Sequence, residues 1–133
     1  MNSKEYINNA TRTESTDFKA MDERLQDDGL KRLLHAGIGI STEAGELLDA
    51  LKKHIFYGKN LDKVNMAEEV GDLFWYIAII ADELGFEFES VMEKNIEKLK
   101  ARYGEKFSEE KANLRNLVQE RSILETQQMD KPQ

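Results

Sequence analysis

The chain contains no cysteine, and its one proline, Pro132, stands next to the C-terminus. The absence of cysteine excludes disulfides and thiolate zinc sites and fits a reducing cytoplasm. No run approaches the roughly 18 apolar residues that a membrane span requires. The first residues also lack the apolar centre of a signal peptide. We therefore expect a soluble, cytoplasmic protein with no membrane partner.

Positive charge is in the minority, with 19 Lys and Arg against 26 Asp and Glu and a net charge of −7. This balance argues against electrostatic binding to a nucleic-acid backbone, so no nucleic-acid partner is expected. It is compatible with a small polyphosphate ligand, because a bound metal ion can invert the local charge. The 133 residues, 40% hydrophobic and 34% charged, have the composition of one helical globular domain.

Apolar residues recur at steps of three and four over residues 30–57, and again from Asp62 to about residue 84. This pattern predicts two long helices and an all-α fold. A third helix is predicted over residues 89–103 and a short one over 114–124. Gly37, Gly39 and Gly45 lie inside the first helix, where glycine costs about 1 kcal/mol relative to alanine. They predict either the close approach of another backbone or a local break near residues 39–42.

Two pairs of acidic residues, each three positions apart, lie on the two long helices: Glu43 with Glu46, and Glu69 with Asp72. Residues three apart lie on nearly the same helix face, so two such helices packed together would gather four carboxylates. An isolated pair in an acidic chain usually belongs to a solvated face. These pairs instead border the apolar stripes, where burial without a cation is costly. Hard oxygen ligands without histidine favour Mg²⁺ or Mn²⁺.

Four segments carry a family resemblance in order and spacing. They read LHAGIGISTEAGEL from Leu34, LKKH from Leu51, EEVGDLFWY from Glu68 and NIEKLKARY from Asn95. Over roughly residues 30–115 the chain resembles the MazG-like nucleoside triphosphate pyrophosphohydrolases of the all-α NTP pyrophosphatase superfamily. The resemblance implies a four-helix-bundle core, a homodimer or homotetramer, and Mg²⁺-dependent hydrolysis of a nucleoside triphosphate. Together with the polar character of both ends of the sequence, this predicts the following division: 1–15, an arm or short helix; 16–115, the MazG-like catalytic domain; 116–133, a short helix and disordered tail.

The resemblance assigns roles to single residues. The four acidic residues of the two pairs match the metal ligands and catalytic carboxylates, one of which can act as general base. The segment N-x-x-K-L-x-x-R-Y, which contacts the triphosphate in the family, is matched by Asn95, Lys98, Arg102 and Tyr103. By spacing alone that segment would be an ordinary charged surface stripe.

Lys53 and Tyr76 are further substrate-binding candidates. Lys53 follows Glu46 by seven residues and so lies on the same helix face, within reach of a phosphate, although an ordinary surface lysine explains it equally well. Tyr76 lies one turn beyond Asp72 and can touch the nucleoside. For Trp75, core packing is favoured over base stacking, and for His35 a buried, hydrogen-bonded side chain is favoured over a ligand role.

The function expected from these features is hydrolysis of a (d)NTP to (d)NMP and pyrophosphate, in nucleotide-pool cleaning or control. Two alternatives belong to other classes. One is a nucleotide-binding regulator that has lost turnover. The other is a helical interaction module whose acidic faces bind a basic partner.

Overall fold

The computed structural model describes residues 1–125. Seven helices hold 78% of these residues, and no strand occurs among them. The helices are α1 (Ser3–Thr11), α2 (Phe18–Arg24), α3 (Asp28–Tyr57), α4 (Lys63–Leu84), α5 (Phe88–Tyr103), α6 (Glu109–Asn113) and α7 (Leu117–Glu125). The all-α prediction is confirmed, whereas the four-helix core stays a prediction. The predicted disordered tail, 126–133, lies outside the described residues.

The chain divides into two compact units, one from Met1 to Glu83 and one that begins at Leu84. The first unit contains α1, α2, α3 and nearly all of α4, and the second contains α5, α6 and α7. No helix within residues 1–125 combines the length and the apolar character that crossing a bilayer demands.

Helix α3 begins and ends at residues suited to helix termini. The Asp27 carboxylate accepts hydrogen bonds from the backbone N–H groups of Gly29 at 2.8 Å and Leu30 at 3.2 Å. These bonds satisfy first-turn donors that have no partner inside the helix. At the other end Gly58 has φ 65°, a left-handed conformation that glycine adopts at low cost.

Helix α4 begins where the sequence predicts. The Asp62 carboxylate accepts hydrogen bonds from the backbone N–H groups of Val64 at 3.0 Å and Asn65 at 3.1 Å. The helix ends before Gly85, whose φ of 67° turns the chain out of the helical path. Residues 58–62 form the short connection between α3 and α4.

Helices α3 and α4 pack as an antiparallel pair. Arg32, near the start of α3, donates to Asp82 at 2.5 Å and to Glu83 at 2.6 Å, near the end of α4. Further along, the ring of Tyr76 from α4 lies against Gly39 of α3, in the space that a Cβ would fill. These contacts fix which turns of the two helices face each other.

The predicted break in α3 near residues 39–42 is wrong, because the helix runs through all three glycines. At Gly39 the close contact is made by the Tyr76 side chain and not by the predicted second backbone. A Cβ placed on Gly37 or Gly45 would meet no heavy atom within 4 Å in the described chain. Packing within residues 1–125 therefore requires one of the three glycines.

Candidate active site

Three of the four predicted carboxylates come together between α3 and α4. One oxygen each from Glu43, Glu69 and Asp72 lies within 4.8 Å of the other two. Glu69 is buried, Glu43 is half-buried and Asp72 is exposed, so this carboxylate triad opens to solvent on the side of Asp72. The contact between Tyr76 and Gly39 explains the convergence, because Asp72 lies one turn before Tyr76 and Glu43 one turn after Gly39.

The buried member of the triad is held by an amide. The Asn65 Nδ2 group, one turn earlier on α4, donates a hydrogen bond to Oε1 of Glu69. This bond keeps the buried carboxylate in one orientation and satisfies one of its oxygens. Sequence reasoning missed Asn65, although an amide four residues before a buried acid is a signal that the sequence contains.

The half-buried member, Glu43, has a pKa above its ordinary value. The main cause is loss of hydration, and the hydrogen bond that Glu43 shares with Glu69 acts in the same direction. The charges of Glu46 and Asp72 raise the pKa further, whereas the Thr42 hydroxyl, 3.3 Å from Oε1, lowers it. Two carboxylates this close are stable together when a proton or a cation lies between them.

The donor set of the triad fits a divalent cation. Its three oxygens are hard, anionic ligands, two of them at least partly shielded from water. Neither histidine nor cysteine takes part, and this composition is typical of Mg²⁺ or Mn²⁺ sites and not of zinc sites. The triad can therefore hold a metal ion and leave further coordination positions open towards Asp72.

Glu46, the fourth predicted carboxylate, is exposed and is not a member of the triad. It lies on the rim of a cavity of about 210 Å³ between the end of α3 and the start of α4. The other lining residues are Asp49, Ala50, Lys53, Lys59, Asn60, Asp62 and Asn65. Since Asn65 also bonds Glu69, the cavity adjoins the triad.

Lys53, the predicted phosphate contact on α3, lines this cavity and forms an ion pair with a neighbouring carboxylate. Its ammonium lies 2.5 Å from Asp49, which also pairs with Lys52. Hydrogen bonds from these two lysines lower the pKa of Asp49 to about 2. The positive charges of Lys52 and Lys53 are therefore partly balanced by one carboxylate.

Tyr76, the predicted nucleoside contact, belongs to a group of three aromatic rings. Its ring centroid is 4.8 Å from Trp75 and 5.7 Å from His35, both in edge-on geometry. Trp75 is 55% exposed, so the prediction that it packs in the core of this chain is wrong. The prediction of a buried His35 is wrong as well, because that side chain is exposed at the rim of the α3–α4 contact.

The four substrate-binding candidates on α5 belong to the second unit. Asn95 is exposed, and Lys98 is half-buried and makes no hydrogen bond or ion pair within residues 1–125. Arg102 is bonded to Glu120 of α7, a partner that sequence reasoning did not identify. The Tyr103 ring is 5.3 Å from the Phe107 ring and lies beneath the Arg102 guanidinium at 5.5 Å.

The chain is similar in sequence to known proteins. The family model of the MazG nucleotide pyrophosphohydrolase domain matches residues 34–107 of the chain. The chain belongs to this family. The matched residues include the whole carboxylate triad, and the MazG family resemblance read from the sequence is confirmed. A similar protein is the Gene 37 protein of Mycobacterium phage L5, 30% identical over 81 residues, which cover 56% of this chain and 69% of the phage protein. No solved structure matches the chain.

Proposed function

We propose that this MazG-family protein hydrolyses a nucleoside or deoxynucleoside triphosphate at the α-phosphate and releases pyrophosphate. The observation that carries the proposal is the carboxylate triad, whose oxygens lie within 4.8 Å of one another in a chain of a pyrophosphohydrolase family. The product is a nucleoside monophosphate. In the cell this reaction would serve nucleotide-pool cleaning or control.

Glu43, Glu69 and Asp72 would hold Mg²⁺ or Mn²⁺, whereas Glu46, the fourth ligand expected from the sequence, lies outside the triad. A bound ion supplies charge neutralisation for the phosphate oxygens. Glu69, fixed by Asn65, keeps its oxygens in place without reorganisation. Glu46 stands outside the triad and is exposed. We therefore propose its carboxylate as the general base, which accepts the proton of the attacking water.

Six residues are proposed to bind the substrate. The cationic groups among them suit phosphate oxygens, and Lys98 is supported by the absence of a competing partner within residues 1–125. Lys53 is supported by its position in the cavity beside Glu46. Tyr76 offers an aromatic edge one turn from Asp72 for the nucleoside. The full set is Lys53, Tyr76, Asn95, Lys98, Arg102 and Tyr103.

We further propose that the protein is a homodimer or homotetramer. Large apolar side chains line the face of α3 opposite Glu43 and are between 52% and 75% exposed: Leu34, Ile38, Leu48, Ile55 and Phe56. Monomeric proteins rarely leave this many large apolar side chains exposed to water on one helix face. Sedimentation velocity should detect the assembly, and Leu48→Glu should dissociate it. A protein that sediments as a monomer at micromolar concentration would contradict this.

The activity is tested by pyrophosphate release from a panel of NTPs and dNTPs, with and without Mg²⁺. We expect metal-dependent release, and a loss of about 100-fold or more in kcat for Glu46→Gln and Glu69→Gln. Glu46→Gln should still bind Mg²⁺, because the triad is intact. Glu68→Gln, an exposed neighbour on α4, is the matched control and should keep its activity.

The same panel separates the proposal from its alternatives. A regulator that has lost turnover predicts metal-dependent nucleotide binding without pyrophosphate release. An interaction module predicts neither binding nor release. Full activity of Glu69→Gln would contradict the assignment of the site even if the protein proved to be a pyrophosphohydrolase.

A further inference from the structure

Helix α5 carries a stripe of cationic side chains, Lys94, Lys98 and Arg102, spaced four residues apart on one face. Helix α7 lies along this stripe and bonds both of its ends. Lys94 Nζ donates to the backbone carbonyl of Leu124 at 3.3 Å, and Arg102 Nε donates to Oε1 of Glu120 at 2.9 Å. Lys98, between them, makes no hydrogen bond or ion pair within the described chain.

Glu120 is buried, with 5% of its surface exposed, and both of its oxygens accept hydrogen bonds from arginine. Oε1 accepts from Nε of Arg102 and from Nε of Arg115 at 3.4 Å. Oε2 accepts from Nη2 of Arg102 and from Nη2 of Arg115 at 2.7 Å. The bonds from Arg102, followed by those from Arg115, lower the pKa of Glu120 to about 2. The carboxylate is therefore ionised throughout the physiological range.

The two bonds from Arg102 determine the orientation of its guanidinium. Glu120 occupies the Nε–Nη2 edge, the Tyr103 ring centroid lies 5.5 Å from Cζ, and the Tyr103 side chain is a second hydrogen-bond partner of the guanidinium. Nη1 is the nitrogen that Glu120 does not contact. A guanidinium held by Glu120 along one edge and by the neighbouring Tyr103 side chain keeps its rotamer when an anion arrives at Nη1. Its planar fork suits phosphate oxygens.

We propose that Glu120 is a positioning residue, which fixes Arg102 so that Nη1, together with Lys98 one turn earlier, receives a phosphate of the nucleotide. The inference rests on the proposed function, since the anion is the polyphosphate of its substrate. Glu120 and the rest of α7 lie beyond residue 107, where the match to the MazG family model ends. The positioning group is thus supplied by a segment outside the family domain.

The test is Glu120→Gln, which keeps the size of the side chain and removes its charge. We expect KM for the nucleotide to rise on the order of tenfold while kcat stays within about twofold. The dissociation constant of inorganic tripolyphosphate, measured by calorimetry, should rise by the same factor. Arg115→Gln is the matched control. It removes the other partner of the same carboxylate, leaves Arg102 in place, and should leave both constants unchanged.

Arg102→Lys serves as a second variant in case Glu120→Gln does not fold. It keeps a positive charge beside Glu120 but has no fork, so α7 should stay docked while KM and the tripolyphosphate constant rise. If KM and the dissociation constant of tripolyphosphate are unchanged in either folded variant, Glu120 only holds α7 against α5. That result would overturn the inference. A lower KM for Glu120→Gln would mean that α7 competes with the nucleotide for Arg102, and it would overturn the inference too.

Equal losses in Glu120→Gln and Arg115→Gln would indicate general destabilisation and would also contradict positioning. The failure of the proposed function has a different signature. In that case the wild-type protein releases no pyrophosphate from any nucleotide of the panel, whether or not it binds tripolyphosphate. An active wild type with an unaltered Glu120→Gln variant contradicts the positioning role alone.

Discussion

Replacement of Gly39 by alanine tests the contact that aligns α3 with α4. A methyl group at this position would occupy the space of the Tyr76 ring, which is rigid and in contact with Trp75 and His35. Forcing an extra methyl into a filled site costs about 1–3 kcal/mol. Alanine recovers about 1 kcal/mol through its higher helix propensity. The free energy of unfolding should therefore fall by up to about 2 kcal/mol.

Gly45→Ala is the control within the same helix. A Cβ there meets no heavy atom within 4 Å in the described chain, so only the propensity gain of about 1 kcal/mol remains. Gly45→Ala should raise the free energy of unfolding, whereas Gly39→Ala should lower it. The two values should differ by about 1–3 kcal/mol. Urea unfolding followed by circular dichroism, at several protein concentrations, measures both and separates effects on the chain from effects on assembly. Gly39→Ala as stable as Gly45→Ala would refute the contact.

Three further predictions concern charged groups. Mg²⁺ at ten times its dissociation constant should stabilise the wild type by about 1.4 kcal/mol. Glu43→Gln should lose most of that gain in a thermal melt, and an equal gain would count against the triad. Glu120, with a pKa of about 2 against an ordinary 4.5, contributes stability above pH 4.5 that is lost as the pH falls towards 2. Acid unfolding curves of the wild type and Glu120→Gln should therefore converge in that window, and a constant separation would contradict it. Asp49→Asn removes the partner of Lys53 and should lower KM for the nucleotide, whereas an unchanged KM would exclude Lys53 as a phosphate contact.

The convergence of Glu43, Glu69 and Asp72 could be predicted because helical periodicity and the apolar stripes fix which faces meet. The same periodicity could not place Glu46. Residues three apart differ by about 60° around the axis, so a pair straddles a face and does not share one direction. In α4 both members of the pair reach Glu43, whereas in α3 the second member turns towards the adjoining cavity.

The partner of Arg102 could not be predicted, since Glu120 is 18 residues away and α7 has only a weak apolar pattern. Ion pairs between helices depend on how the helices dock, and no local spacing encodes this. For Trp75 the sequence predicted burial that the structure does not show. A run of apolar residues on α4 predicts burial all round, but burial within one chain extends only as far as that chain supplies neighbours.

The exposure of Trp75 makes it an intrinsic spectroscopic reporter. It is the sole tryptophan of the sequence, and it lies beside the imidazole of His35 at a ring distance of 6.4 Å. Indole emission shifts to the blue when water is removed from the ring. The emission maximum of the unlabelled protein, measured over a range of protein concentrations, therefore shows whether a second chain covers this surface.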